Sequence, residues 1–547
     1  MNLIDSERRP AVSDELLAPD GEMRPQGHEG AASTSLGFWA PRLRVLFLTD
    51  GRINSGHDPQ QFGLGPPIDI LQDRAAVPWL DISVQFVDRD GPAGFRLTED
   101  GVDLDAFDQV WMFADNPGES PASSQNTPDS VAYEPIHAPM SDAELLVLAQ
   151  WMDAGGGVFA TGDHSFLGAS MCSRIPRVRS MRMWTHAQGV PSLNTPDRHE
   201  TLQHIWPTSY EAWEGDRYAQ RIFPKYEPGT GISVLSPLAP HPLLCGPHGV
   251  IDRFPDHMHE GSVIEDAQVK LDLPLDIPGY TKAEYPPYRP VLHEASPGPA
   301  LTVPSPVARP VPHVIAHGIT SNLDAPPRTF GMVGVYDGEG ADVGRVVVDS
   351  TWHHWFSLNL HGFIADAPVI YEQMQWYYRN IAIYLATPSQ RAQMLFAAIW
   401  HAMMSGHPGA FSRGFTVWET GQRAMDVLGR NAPQCLVSPL VSSVMPTAYA
   451  AERSGATAPA AGADADLVNV TMTGAIALEM VEQVNDVLLE RAKGRRVAVD
   501  PGEVFKLGRA GVSRGHRELA RVLEEQVHDT EALLSEMKQS ERNSPRR

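Results

Sequence analysis

Asp153-Ala154-Gly155-Gly156-Gly157-Val158-Phe159-Ala160-Thr161-Gly162-Asp163-His164 is the stretch on which the fold turns. Val158 to Thr161 is apolar on both alternations and too short for a helix, so it reads as a strand buried on both faces. The three glycines before it make a tight turn, and Gly162 after it permits another. Upstream, Ser141-Asp142-Ala143-Glu144 is a capping box, and Leu145, Leu148 and Met152 share one face, which predicts a helix over Ser141 to Ala154. Apolar runs like the Val158 strand recur at Arg44 to Thr49, Ile82 to Val87, Val110 to Phe113, Met332 to Tyr336 and Val346 to Val348. Strands of this kind alternating with a helix predict an α/β domain with a mainly parallel sheet. Its ligand site should open beyond the strands' carboxyl ends.

Around this nucleus the chain divides into segments. Residues 1–41 have glycines, a proline and a Ser/Thr/Ala cluster but no long apolar run, so they read as a disordered tail rather than a secretory signal. The α/β domain is expected over 42–386, interrupted at about 170–327 by an insertion rich in Pro, His, Trp and Tyr that fits a lid or wall. Ala386-Thr387-Pro388 marks a boundary. Residues 387–547 form a mainly helical region, with helices predicted at Leu395 to Met404, Val470 to Ala492 and Arg517 to Met537. In the last of these, Leu519, Leu523, Val527, Thr530, Leu534 and Met537 line one face, which can dock on the domain or build a homo-oligomer with a second subunit.

The 547 residues carry 43 Lys plus Arg against 67 Asp plus Glu, a net charge of −24. Such a surface repels nucleic acid and anionic lipid, so any anionic ligand needs a local basic pocket. No apolar run approaches the roughly 20 residues needed to span a bilayer, and a cytoplasmic protein without membrane contact is expected. The three cysteines, Cys172, Cys245 and Cys435, are too dispersed for a disulfide framework and are read as buried or inert thiols. There is no Walker-type G-x-x-x-x-G-K-[ST], and nucleotide binding is disfavoured.

The quoted corner, Asp163-His164, is also where an α/β fold exposes a working group. Here the chain resembles the ThuA-like, trehalose-utilisation branch of the class I glutamine amidotransferase-like superfamily. Gly155-Gly156-Gly157 with its strand and His164 carries the likeness. In the same order follow His241-Pro242-Leu243-Leu244-Cys245-Gly246, the segment ending His259-Glu260, Gly344-Arg345-Val346-Val347-Val348 running to His353-His354, and Arg379-Asn380-Ile381-Ala382-Ile383-Tyr384-Leu385. The resemblance covers about residues 42 to 386 and implies a flavodoxin-like fold. It also implies a cysteine nucleophile at the corner and a His-x-Glu after a later strand. This chain has Asp163 and His164 at the corner and Trp352-His353-His354-Trp355 without the following glutamate, so it is not a glutaminase.

What remains is a pocket in the same place with different chemistry. Asp163, His164, His259, Glu260 and His353 are the expected catalytic groups. Two accounts use nearly the same residues. In one, His257, His259 and His353 hold zinc or a similar divalent metal that activates water; in the other, His164 or His353 moves a proton while Asp163 or Glu260 orients it. Asp50 and Arg52 follow the first strand and should line the same crevice. Arg177 and Arg182 belong to a cluster that could admit a polar or anionic substrate, with internal salt bridges as the alternative. Trp352 is expected beside them as part of the substrate wall. The sequence thus predicts a hydrolase, or related lyase or isomerase, acting on a small polar molecule that the resemblance suggests is sugar-derived. A non-catalytic ligand-binding or assembly module on the same fold is the alternative.

Overall fold

A computed structural model describes residues 40–50, 53–89, 97, 102–114, 140–162, 168–184, 219–228, 238–255, 263–288, 309–319, 329–350, 352–406, 409–412, 414–431, 437, 440–441, 443–445, 465–495 and 497–543. Eight strands form the main sheet: β1 Arg42–Thr49, β2 Asp81–Asp88, β3 Gln109–Ala114, β4 Gly157–Gly162, β5 Phe223–Pro224, β6 His313–Ile319, β7 Thr329–Tyr336 and β8 Val346–Asp349. Their spatial order is β2-β1-β3-β4-β8-β7-β6-β5. The five strands from β2 to β8 run parallel, and β7, β6 and β5 extend the sheet by antiparallel pairing.

The fully apolar runs lie in the central strands β1, β3, β4 and β8, which bury both faces, whereas the edge strand β2 is mostly half-buried. Leu46, Leu48, Val110, Met112, Val158, Ala160, Val346 and Val348 point to one core, which α2, Asp142–Asp153, closes with Leu145, Leu148 and Met152. The intervening Phe47, Trp111, Phe113, Phe159 and Val347 point to the other core, beneath α1, Gly65–Gln72, and the later helix that spans Pro368–Leu385. This alternation is the period-2 pattern of a sheet covered on both sides. Ser141 caps α2 as expected: its side chain accepts from the Glu144 N–H, and the Glu144 carboxylate returns to the Ser141 N–H at 2.9 Å.

The insertion is not wholly separate from the sheet. It supplies two short helices, α3 Ala169–Cys172 and α4 Val178–Met181, and also β5 and β6 of the main sheet. β6 escaped the sequence reading because His313 and His317 interrupt its apolar pattern and because it pairs antiparallel, with register shifts around Ala316. After β8, α5 (Ser357–Asp366) and α6 (Pro368–Leu385) close the sheet, and α7 (Pro388–Met404), α8 (Val417–Asn431), α9 (Ala465–Ala492) and α10 (Pro501–Asn543) follow.

The boundary at Ala386-Thr387-Pro388 is a helix break without a break in the core. Thr387 caps α7 in a second capping box with Gln390, while Leu395, Phe396, Ile399 and Met403 join Ile381, Leu385, Ile476 and Val504 in one continuous apolar cluster. A charged link reinforces the junction. Arg345 donates to Asp337 at 2.9 and 2.8 Å and to Glu339 at 2.7 Å, and Arg391 of α7 donates to the same Glu339 carboxylate.

Candidate functional site

The chain leaves β1 toward β2 on one side and returns to β3 on the other, so the carboxyl ends of β1 and β3 flank a topological switch point. Two buried polar groupings stand at this carboxyl edge, one on each face of the sheet.

On the α6 face, Asp349 ends β8 and follows the alternation set by Val347, which turns it toward α6. Its carboxylate accepts from His354 Nε2 at 2.9 Å, from Trp355 Nε1 at 3.3 Å and from the Tyr377 hydroxyl at 2.7 Å. Burial, then the Asp349 carboxylate, pushes the Tyr377 hydroxyl well above its ordinary value, so it remains a donor. The turn His353–Trp355 is a single 3-10 turn that aims His354 and Trp355 back at Asp349. The Tyr378 hydroxyl donates to the His354 carbonyl, and the Phe254 ring lies 4.4 Å from the imidazole. His354 is fully buried, and its Nδ1 has no hydrogen-bond partner within the described structure. A carboxylate that fixes one imidazole nitrogen and leaves the other unpartnered is an arrangement that an oriented general base uses.

On the α2 face, the Glu144 carboxylate at the start of α2 meets Arg89 Nη2 at 3.4 Å and the Leu97 N–H at 3.3 Å. Burial tends to raise the Glu144 carboxyl, but the Ser141 hydrogen bonds, with Arg89 and Leu97, hold it below the usual range. Asp50 and Arg182, both fully buried, lie close enough to Cys172 to act on its thiol. Burial raises that thiol strongly, Asp50 adds to the effect, and Arg182 and Arg89 oppose it. The result is a protonated thiol, inert as a nucleophile. Arg182 Nη2 donates to the carbonyls of Gly162 and Ser350, the latter at 2.8 Å, so it ties the ends of β4 and β8 together. Its guanidinium also lies 4.2 Å from the Trp184 ring centre. Gly168 has φ +76°, and a Cβ there would sit 2.5 Å from the Ala114 Cβ, so the segment after β4 packs directly on the end of β3.

Of the expected site residues, Asp163, His164, His257, His259, Glu260 and Arg52 lie outside the described residues. His353 is buried, and its Nδ1 faces Asn359 Nδ2 at 3.5 Å; the histidine joined to Asp349 is its neighbour His354. Trp352 is packed edge-on against Phe356, with ring centres 5.1 Å apart, and near Phe62 at 5.8 Å. Arg177 is buried in an ion-paired anchor: its Nη1 reaches Asp153 at 3.1 Å, and its N–H donates to Glu284 at 2.6 Å. Arg179 binds the same Glu284 at 2.7 Å, so Arg177 fastens the insertion to α2 through Asp153, while the Glu284 pairs tie two parts of the insertion to each other as internal salt bridges. Asp50, Arg182 and Trp352 are the expected substrate-binding residues found at the carboxyl edge: Asp50 follows β1, Arg182 bonds the end of β4, and Trp352 follows β8.

Sequence reasoning passed over His354, Trp355, Tyr377 and Glu144 as site residues. The signal for the first was present in the His353-His354 pair, but only the turn geometry distinguishes the two. Among the described residues no group of three His, Cys, Asp or Glu could hold a metal ion. The expectation of three inert thiols is corrected in one respect. Cys172 is a buried free thiol, Cys245 is disulfide-bonded, and Cys435 lies outside the described residues. No described helix is long and apolar enough to cross a membrane.

No family model, no curated protein and no solved structure matches the chain. The fold and the edge groupings define the class: a mixed α/β protein with a mostly parallel eight-stranded sheet and buried polar clusters at its carboxyl edge.

Proposed function

We propose that the protein is a hydrolase, or a related lyase or isomerase, acting on a small polar substrate, with His354 as the proton-transferring group and Asp349 as its orienting carboxylate. The observation that carries this reading is a buried imidazole whose Nε2 is held by Asp349 and whose Nδ1 has no hydrogen-bond partner among the described residues. Asp349 in turn is fixed by Tyr377 and Trp355, so the imidazole has one orientation. The inert Cys172 thiol supports a reaction other than thioester chemistry. The parallel strand order, second-first-third-fourth-last, supports the flavodoxin-like arrangement and with it the ThuA-like resemblance. A sugar-derived substrate follows from that resemblance alone.

The complete burial of Asp349 and His354 favours a second reading, a ligand-binding or assembly module in which the pair is architectural. Thermal shift against a metabolite library, followed by turnover assays on the stabilising compounds, separates the two. Under the enzyme reading a stabilising compound is converted, and His354→Gln abolishes conversion while the fold melts cooperatively. Binding without conversion by the wild-type protein would overturn catalysis.

A further inference from the structure

The first half of α10 is packed against the body, with Val504, Phe505 and Leu519 buried and Arg514 paired to Glu479 at 3.0 Å. The second half is not, since every residue from Glu524 to Gln539 is exposed. Val527, Leu533, Leu534 and Met537 supply four of the twelve large exposed hydrophobic side chains among the described residues. A helix stretch that projects without packing lacks the support that tertiary contact of an amphipathic face normally supplies to helices in proteins. Leu523, Val527, Thr530, Leu534 and Met537 alternate in steps of four and three. That is the repeat of a helix whose partner is another helix of the same period. Thr530 does not spoil the seam: its hydroxyl donates to the Gln526 carbonyl at 2.7 Å and leaves the methyl available for packing.

We propose that this segment pairs with the same segment of a second copy of the chain as a short antiparallel coiled coil. Charge selects the partner and the direction. In the antiparallel register that stacks Val527 on the second copy's Met537 and Thr530 on its Leu534, Glu524 faces Lys538 of the other copy, twice by symmetry. Leu533 then meets its own counterpart beside the seam, and Glu531 facing Glu531 at the centre is the single like-charge contact. Sliding by one heptad toward the body would set Glu524 against Glu531 and Arg517 against Lys538. A parallel pair gains no opposite-charge contact, because Leu519, Gln526 and Leu533 would face Glu524, Glu531 and Lys538. It would also bring two bodies of charge −24 side by side, whereas the antiparallel pair sends them to opposite ends.

Sedimentation of the full chain over a wide concentration range tests the pairing, and cysteine cross-linking tests its direction. The wild-type protein is expected to approach twice the monomer mass as concentration rises. The Leu534→Glu, Met537→Glu double variant is expected to stay monomeric with an unchanged melting temperature. Oxidation should cross-link the Val527→Cys, Met537→Cys double variant, while either single variant stays uncross-linked. A wild-type protein that is monomeric throughout, a double glutamate variant that still dimerises, or a cross-linked Val527→Cys single variant would each overturn the proposal.

Discussion

Asp349 and His354 stand five residues apart and are joined at 2.9 Å, carboxylate to Nε2, with both side chains buried. The spacing is set by the 3-10 turn His353–Trp355, which carries the chain round the end of β8 and returns the second histidine to the strand's last residue. Replacing Asp349 with Asn keeps the shape and removes the charge that orients the ring. Under the proposed function, turnover falls by about 10²–10⁴, the range that positioned proton transfer contributes. His353→Gln leaves turnover within severalfold of wild type, because that ring is not the one held by Asp349. Steady-state rates on a substrate found by the library screen check both. Equal losses in the two variants would assign the pair a purely architectural role.

Glu144 predicts an acid dependence of stability. Its carboxyl is held below its ordinary value of 4.5 in the fold, where burial opposes and the Ser141 bonds, Arg89 and Leu97 favour ionisation. A depressed carboxyl contributes stability that is complete above 4.5 and is lost as pH falls through the lower folded value. Glu144→Gln therefore lowers stability by about 1–3 kcal/mol at neutral pH. The difference from wild type starts to shrink below pH 4.5, where the unfolded carboxyl takes up its proton, and closes below the lower folded value, where the native carboxyl does so too. Chemical denaturation at pH 7 and at successively lower pH measures it. A gap that stays constant with pH would refute the account.

These two groups show what could be read in advance. Val158, Val110 and Leu46 lie in fully apolar runs, and such runs have one stable destination, the middle of a doubly covered sheet. Arg177 and Arg179 gave no such guidance. Their partner Glu284 is 107 and 105 residues away, and only folding decides whether an arginine cluster meets a ligand or the chain's own carboxylates. The choice of His354 over His353 was equally hidden, because adjacent residues differ only in the direction that a local turn gives them. β6 was missed for another reason: its histidines break the apolar pattern by which a buried strand is recognised.

The cysteines give a labelling prediction. The chain has three; the Cys172 thiol is free and fully buried, and Cys245 is disulfide-bonded. The native, unreduced protein should take up no alkylating agent on Cys172 within the time an exposed thiol reacts, since burial both shields the thiol and keeps it protonated. Unfolded without reductant, the chain should gain one alkyl group, and after reduction three, counted by intact mass. Three groups without reductant would show that no disulfide had formed.

The last prediction concerns how the carboxyl-terminal helices meet. A Cβ at Gly474 of α9 would lie 1.9 Å from the Val417 carbonyl oxygen and 2.8 Å from the Gly421 nitrogen, and one at Gly421 of α8 would lie 2.0 Å from the Val470 carbonyl oxygen. The two helices therefore touch backbone to backbone at these glycines, and no side-chain rotation can make room. On an exposed helix, Gly→Ala stabilises by about 0.8–1 kcal/mol through helix propensity. Here that gain is outweighed by forcing the helices apart, a strain of the size seen when cores are overpacked, about 1–3 kcal/mol. Gly474→Ala is thus expected to lower the melting temperature. Gly502→Ala, whose nearest neighbour is the end of the Asp500 side chain at 3.3 Å, is expected to leave it unchanged or raise it slightly. Because Ile476 and Met480 on the same helix belong to the core that continues into α6 and α7, the loss should appear as earlier cooperative melting of the whole protein. A separate low-temperature transition for the helices alone, or a Gly474→Ala variant as stable as wild type, would show that the crossing is looser than this contact requires.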